Sequence, residues 1–372
     1  MAGAPVCARQ LPGVKKVVAK GHGKKTGVGP LAILTGFFER AKWLFSIKVF
    51  AVLALVALVV ACTGLVEGDD RGLQPLSSQT VSALEAMGSS PGEAMMVRIY
   101  KQSSELEVWK RVGDGTFKLF KTYAICTFSG ELGPKIFEGD RQSPEGFYTV
   151  TRGLMNPRSQ YYLAFNLGFP NKFDRAHGRT GSNIMVHGDC SSRGCYAMTD
   201  EQVAEIYALA RESFSGGNRS FQVQVYPFRM TPENLAANYA NPNLAYWQNL
   251  KTGFDHSEVL KGPTNWDVCN KEYVFDVRAA SGQPLDAEAA CPVLSRDASL
   301  EARVAARQNA DRAAFEMAVA SIQASELQRQ AEAQREADRA VALAQRSEAI
   351  NQAGSNLGDA IGGFFGGIFG GN

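Results

Sequence analysis

Apolar and polar residues alternate in short runs between residues 93 and 230, the period of half-buried strands. "MMVRIYK" (95–101) and "ELEVWKRV" (105–112) place Val97, Ile99, Leu106, Val108 and Val112 inward. "GDG" (113–115) marks a turn, and "FKLFKTYAICTF" (117–128) continues as a strand. "PEGFYTV" (144–150) follows a Pro-Glu-Gly turn, and "SNIMVHG" (182–188) is a further apolar strand. "FQVQVYPF" (221–228) alternates with Val223 and Val225 on one face. One stretch changes period. "TDEQVAEIYALARES" (199–213) repeats its apolar residues at Val203, Ile206, Tyr207 and Ala210, one helical face. Thr199 and Gln202 form a capping box at its start, four residues past Cys195. The pattern is mainly β (α+β), with a supporting helix under a sheet.

The flanks read differently. Residues 67–92, rich in Ser, Gly and Gln, look like a tether. Residues 231–298 mix short helices and loops, with "WDVCNKEYVFDV" (266–277) as one more strand and 279–298 as a linker. Residues 299–353 are rich in Ala, Arg, Glu and Gln and hold no Gly or Pro, which predicts one long C-terminal helix. Phe315, Val319 and Ile322 make a short stripe on it. Elsewhere Ala replaces bulky residues, so a loose coiled coil and a single solvated helix both fit. In the Gly-rich tail (354–372), Gly354, Gly358, Gly362, Gly366 and Gly370 recur every four residues. They form one smooth helical stripe that permits close helix packing, flanked by Phe364, Phe365, Ile368 and Phe369, or else a floppy tail. Self-association or membrane contact through 299–371 is the expectation.

Charge enters at the N-terminus. A formal net charge of +2 argues against a dedicated nucleic-acid binder, and no nucleic-acid partner is expected. The basic residues Arg9, Lys15, Lys16, Lys20, Lys24, Lys25, Arg40, Lys42 and Lys48 oppose Glu39 alone in segment 1–48. That segment runs into "VFAVLALVALVVACTGLV" (49–66), which is uncharged, so it reads as a topology signal. "VVAC" (59–62) resembles the lipobox of bacterial lipoproteins, which would make Cys62 a lipidated first residue. The rival is an uncleaved membrane anchor with its basic side kept inside. Either reading exports residues 67–372 to the periplasm or cell envelope, attached to a membrane through the N-terminus.

Export changes the meaning of cysteine, because thiols outside the cytoplasm tend to be oxidised or functional. Cys126, Cys190, Cys195, Cys269 and Cys291 remain, an odd number that implies a free thiol. Cys126, in an apolar run, reads as a buried inert thiol. Cys269 and Cys291 are a possible disulfide. "MVHGDCSSRGCYAMTD" (185–200) holds the concentrated chemistry. His187, Cys190 and Cys195 could hold zinc with His177 or Asp189 as fourth ligand, although the spacing fits no common finger. Cys190 and Cys195 could close a small disulfide loop. Cys195 could instead be a nucleophile, with His187 at a strand end as its base. Arg193 would then add positive potential, and Gly194 would let the amides of Gly194 and Cys195 converge as an oxyanion hole. This last reading needs no metal and no cofactor.

The same residues carry a resemblance. "HG" followed by "SRGC" resembles the active-site signature of the L,D-transpeptidase (YkuD-like) family, and "SPEGFYTV" resembles its Pro-x-Gly-x-Phe/Tyr strand. "LEVWK", "SGELGPKIFEGDRQSPEGFYTV", "LAFNLGFPNKFDRAHGRTGSNIMVHGDCSSRGCYAMTD" and "VYPFRMT" are closest to its murein L,D-transpeptidase, YafK-like branch. The resemblance spans residues 93–278. It implies a β-sandwich-like catalytic domain acting on peptidoglycan stem peptides, with Cys195 as nucleophile and His187 as general base and acid. The carbonyl of Gly188 would orient His187, and Ser191 and Arg193 would line the site. The chain departs from the wider family in two places. Only residues 188–194 separate His187 from Cys195, where the family carries a longer insert, and Arg193 stands where a second His is usual. Transfer to an amine acceptor (cross-linking, or attachment of a wall-linked lipoprotein) and hydrolysis by an L,D-carboxypeptidase or amidase therefore both stay open. A non-catalytic wall-binding lipoprotein would be marked by loss of Cys or His, and both are present.

Overall fold

The computed structural model describes residues 69–369, with side chains through residue 363. The basic segment, the apolar run with Cys62, and the phenylalanines of the tail fall outside the described side chains. Among the described residues no helix is long and apolar enough to cross a membrane.

A helix α1 (Ser78–Ala86) precedes the strands β1 (Met95–Tyr100), β2 (Glu105–Arg111), β3 (Phe117–Ala124) and β4 (Thr127–Phe128). After a long loop come β5 (Gly146–Thr151), β6 (Met155–Ser159) and β7 (Tyr162–Asn166). A short helix α2 (Lys172–Ala176) leads to β8 (Met185–His187) and β9 (Tyr196–Ala197). Then follow α3 (Asp200–Ser215), β10 (Ser220–Tyr226), α4 (Pro232–Ala237) and α5 (Leu244–Leu260). Two hairpins, β11 (Trp266–Cys269) with β12 (Glu272–Phe275) and β13 (Val277–Ala279) with β14 (Leu294–Arg296), precede α6 (Ala298–Phe369).

The strands form two five-stranded sheets, ordered β3-β2-β1-β10-β5 and β4-β9-β8-β7-β6. Each holds one parallel pair, β1 with β10 and β8 with β9. The alternation legible in β1 and β10 sorts their side chains between two cores. Val97, Ile99, Val223 and Val225 join Phe165, Val186 and Tyr196 of the second sheet and Val203 and Ile206 of α3 in one cluster. Tyr100 and Tyr226, on the opposite face, join Trp247 and Leu250 of α5 and Tyr273 and Phe275 of β12. β1 is buried along its whole length because both of its faces are covered. Thr199 and Gln202 make the expected capping box, and Val203, Ile206, Tyr207 and Ala210 are buried.

Three boundaries differ from the sequence reading. Residues 71–86 are not a free tether. Leu84 is fully buried in the first cluster, Arg211 donates to the Gly72 carbonyl (2.7 Å), and Thr80 donates to Glu205 (2.7 Å). Leu84, the half-buried Leu76 and a few polar anchors suffice to dock a segment whose composition reads as spacer. The linker 279–298 is likewise structured: β13 pairs with β14, and Cys269 is disulfide-bonded to Cys291. The long helix does not end at residue 353 but continues through Phe369, because glycine tolerates helical backbone at modest cost.

α6 has two regimes. Its first turns dock on α4 and α5, with Val304 buried, Phe315 half-buried, and Lys251 bound to both Asp255 and Asp311 (2.5 Å each). Arg307 also reaches Asp255, and Tyr239 reaches Glu326. From residue 327 to 363 every residue is exposed, including Leu343, Ile350, Leu357 and Ile361. Truncation after residue 327 should leave the thermal transition of the body unchanged. Truncation after Arg296 should lower it, because Val304 and Phe315 leave the core and the buried Lys251–Asp255 pair loses its outer partners. Differential scanning calorimetry of the two shortened proteins checks both.

Candidate active site

The site is built where β8 and β9 lie side by side. Their parallel register pairs Val186 with Tyr196 and His187 with Ala197. Continued one residue outward, it sets Met185 opposite Cys195, and the Met185 amide donates to Cys195 Sγ at 3.4 Å. Side chains two apart on a strand share a face, so His187 and Cys195 emerge on one face as diagonal neighbours. Val186 and Tyr196 point the other way, into the core.

A parallel pair ordinarily needs a connection of a dozen or more residues. Here residues 188–195 suffice because Asp189, Cys190 and Gly194 adopt left-handed backbone, with φ of 66°, 38° and 123°. The turn is held from several sides. Asp189 N donates to Asp200 Oδ1 (2.9 Å), at the first turn of α3. Cys190 N donates to the Met198 carbonyl (3.1 Å), and Met198 N donates to the His187 carbonyl (2.7 Å). Cys190 is also disulfide-bonded to Cys126.

That bond corrects three expectations. Cys126 is not a buried inert thiol; it is exposed and cross-linked. Cys190 cannot pair with Cys195, and its sulfur is not available to a zinc ion alongside His187. The other suggested ligand, His177, sits on the Phe173 ring (4.2 Å between centroids), with Nδ1 against the Phe173 carbonyl. Cys195 is the free cysteine among the described residues.

His187 is buried, and its Nδ1 lies 2.6 Å from the Gly188 carbonyl. A carbonyl only accepts, so Nδ1 carries the proton and Nε2 is left with the lone pair of a base. The Tyr161 ring lies tilted against the imidazole, 4.7 Å between centroids, and covers one side of it. Burial pulls the imidazole below its ordinary pKa, against the Gly188 carbonyl and Asp189, which favour the charged form. Burial likewise pushes the Cys195 thiol up, opposed by the Met185 amide and the Lys135 ammonium. Both shifts favour the neutral forms. Cys195 Sγ points to the Asn183 carbonyl (3.6 Å).

The amides expected to form the oxyanion hole are engaged in this resting geometry. Cys195 N donates to Ser192 Oγ (3.0 Å) and Gly194 N donates to Ser129 Oγ (2.9 Å). Ser192 Oγ in turn donates to the Cys195 carbonyl (2.7 Å), which also accepts from Ser143 Oγ (3.1 Å). A substrate oxyanion reaches these amides only by displacing the hydroxyls. Ser191, singled out from the sequence, is exposed and makes none of these bonds, and neither does the exposed Arg193. The adjacent Ser192 does the work, together with Ser129 and Ser143 from the loop after β4. Lys101 and Glu145, both fully buried and 3.1 Å apart, fix that loop through the carbonyls of Gly133 and Ser143 and the Trp247 indole.

Residues 95–225 match the family model described as YkuD, the L,D-transpeptidase catalytic domain. The Escherichia coli (strain K12) protein named "Putative L,D-transpeptidase YafK" is 37% identical over 254 residues, 68% of this chain and 98% of its own. Its counterpart in strain O157:H7 matches equally. Among solved structures, the helical cell shape determining protein Pgp2 of Campylobacter jejuni aligns at a TM-score of 0.30 and 24% identity, covering 41% of this chain and 56% of that one. A mutant of Pgp2 aligns at 0.31 and 23%, covering 51% and 66%.

Two outcomes follow from this geometry. Because burial raises the Cys195 thiol, its alkylation by iodoacetamide should be slow at neutral pH. The rate should keep climbing with pH beyond the range where an ordinary thiol levels off, as peptide-resolved mass spectrometry can follow. Gly188 is confined as well: an added Cβ would lie 2.4 Å from Asp200 Oδ1 and 3.1 Å from the Tyr161 carbonyl. Gly188→Ala should cost about 1–3 kcal/mol of stability in urea denaturation, and it should depress turnover by displacing the carbonyl that orients His187.

Proposed function

This chain belongs to the YkuD family of L,D-transpeptidase catalytic domains, and we propose that it opens peptidoglycan stem peptides through a thioester on Cys195. The observation that carries this reading is the pairing of β8 with β9, which sets His187 and Cys195 on one face with Nδ1 committed to Gly188. His187 Nε2 takes the thiol proton as Sγ attacks the carbonyl carbon of the third stem residue. The tetrahedral oxyanion is met by the Cys195 amide once Ser192 swings aside. The C–N bond to the fourth residue, a D-amino acid, then breaks, and the imidazolium returns its proton to the leaving amine. The thioester passes its acyl group to an amine, giving a cross-link or an attached protein, or to water, giving a trimmed stem; a wall-linked lipoprotein is released where its amine, in place of the fourth residue, is the leaving group.

The setting we infer is the cell envelope. Two disulfides among the described residues support an oxidising compartment, and the basic and apolar N-terminus supports membrane attachment, through lipidated Cys62 or an uncleaved anchor. We also assign the exposed half of α6 to contact with a second copy or with the membrane, apart from the chemistry.

Incubation with purified peptidoglycan, followed by mass analysis of the muropeptides, tests the reading. Wild-type protein should give new cross-links, shortened stems or released protein, and whichever appears names the second step. Cys195→Ala should lower that yield by several orders of magnitude while the protein stays folded. Unaltered muropeptides with wild-type protein would support a wall-binding role instead.

A further inference from the structure

We propose that the Cys126–Cys190 disulfide is a positioning cross-link for the catalytic turn, so that a thiol reductant switches the enzyme off by opening it. The proposal rests on the reading of Cys195 as nucleophile.

β9 is the strand that the cross-link spans. Only two residues long, it carries Cys195 at its entry and is paired on both edges, with β4 on one side and β8 on the other. Cys126 stands immediately before β4 and donates its amide to the Ala197 carbonyl (2.9 Å). Cys190 stands in the turn that leaves β8. The disulfide therefore spans β9 from one neighbour to the other, closing residues 64 apart in sequence. It also fixes Cys190 beside Asp189, two consecutive non-glycine residues in left-handed backbone. Such a conformation persists only where its surroundings hold it. The other ties on that turn are hydrogen bonds: Gly188 N to the Tyr161 carbonyl, Asp189 N to Asp200, Cys190 N to Met198, and Ser192 and Gly194 to Ser129. The disulfide is its covalent tie to a distant part of the chain. The turn ends in Ser192, whose hydroxyl holds the Cys195 amide, so freedom at Cys190 reaches the nucleophile within five residues.

Both cysteines are exposed, so a dithiol in solution can reach the bond. The step balances: a thiolate of the dithiol attacks one sulfur, the second thiol completes a cyclic disulfide, and Cys126 and Cys190 each leave as thiols. The second disulfide serves as an internal contrast. Cys269, at the end of β11, is fully buried in a small cluster with Ala279 and Leu285, while Cys291 is exposed, and neither stands in the catalytic turn.

The test is a dithiothreitol titration of the full chain, well below its melting transition, with peptide mapping to report which disulfide has opened. Opening Cys126–Cys190 should lower kcat on stem tetrapeptide muropeptides by about 10- to 100-fold, with KM little changed, since small misplacements of reacting groups act on that scale. Iodoacetamide alkylation of Cys195, measured directly after removal of the reductant, should change in rate and pH dependence. Re-oxidation should restore both. Cys269→Ser/Cys291→Ser should keep the response to reductant. Cys126→Ser/Cys190→Ser should start at the low activity and respond no further. A cross-link that only stabilises the fold would lower the melting temperature and leave Cys195 alkylation and kcat untouched. That result, or a loss that follows Cys269–Cys291 instead, overturns the proposal. Absence of turnover in every state would count against the function reading, and the alkylation measurement would still decide whether the cross-link positions Cys195.

Discussion

The parallel pairing of β8 with β9, closed by residues 188–195, is the constraint on which the site depends. Parallel neighbours joined so tightly cannot be reached with ordinary backbone, and three left-handed residues supply the reversal. The register then decides the chemistry. It sends His187 and Cys195 to one face and sends Val186 and Tyr196 into the core. A shift of one residue would bury Cys195 and expose the core side chains. Most of the surrounding architecture can be understood as support for this register: α3 presents Asp200 to the turn, β4 guards the outer edge of β9, and β7 guards the outer edge of β8.

A second layer of control is electrostatic. Burial opposes charge on both His187 and Cys195, which favours a neutral pair over a preformed thiolate and imidazolium. The serine hydroxyls that fill the amides of Gly194 and Cys195 keep buried donors satisfied until a carbonyl takes their place. The buried Lys101–Glu145 pair matters here because it anchors the loop that delivers Ser129 and Ser143. A buried ion pair of this kind is weak evidence for net stability. Its value here lies in fixing one loop conformation next to Cys195.

What the sequence made legible was what repeats or stands close together. Period-two alternation located β1, β2 and β10, and period 3.6 located α3 with its cap. His187, Gly188 and Cys195 lie within one short motif, and the structure brings them together. Long-range pairings carry no such signal. Cys126 looked like a core thiol because its neighbours are apolar, yet it is exposed and joined to a residue far along the chain. Ser129, Ser143 and Tyr161 meet the site from loops without periodicity. Ser191 and Ser192 could not be told apart, because side-chain direction inside a turn follows φ and ψ, not spacing. Residues 71–86 read as spacer because composition averages away a few anchoring residues such as Leu84 and Leu76.

The central claim, that Cys195 forms the acyl-enzyme with His187 as its base, is tested most directly by acid-quenching the protein during turnover of a tetrapeptide muropeptide. Its intact mass is then determined and the adduct mapped to a peptide. The account predicts an adduct equal to the donor less its terminal amino acid. It should be found on the peptide containing Cys195, be absent from Cys195→Ala, and be strongly reduced in His187→Ala. Product released by Cys195→Ala, or an adduct at any other residue, would contradict it.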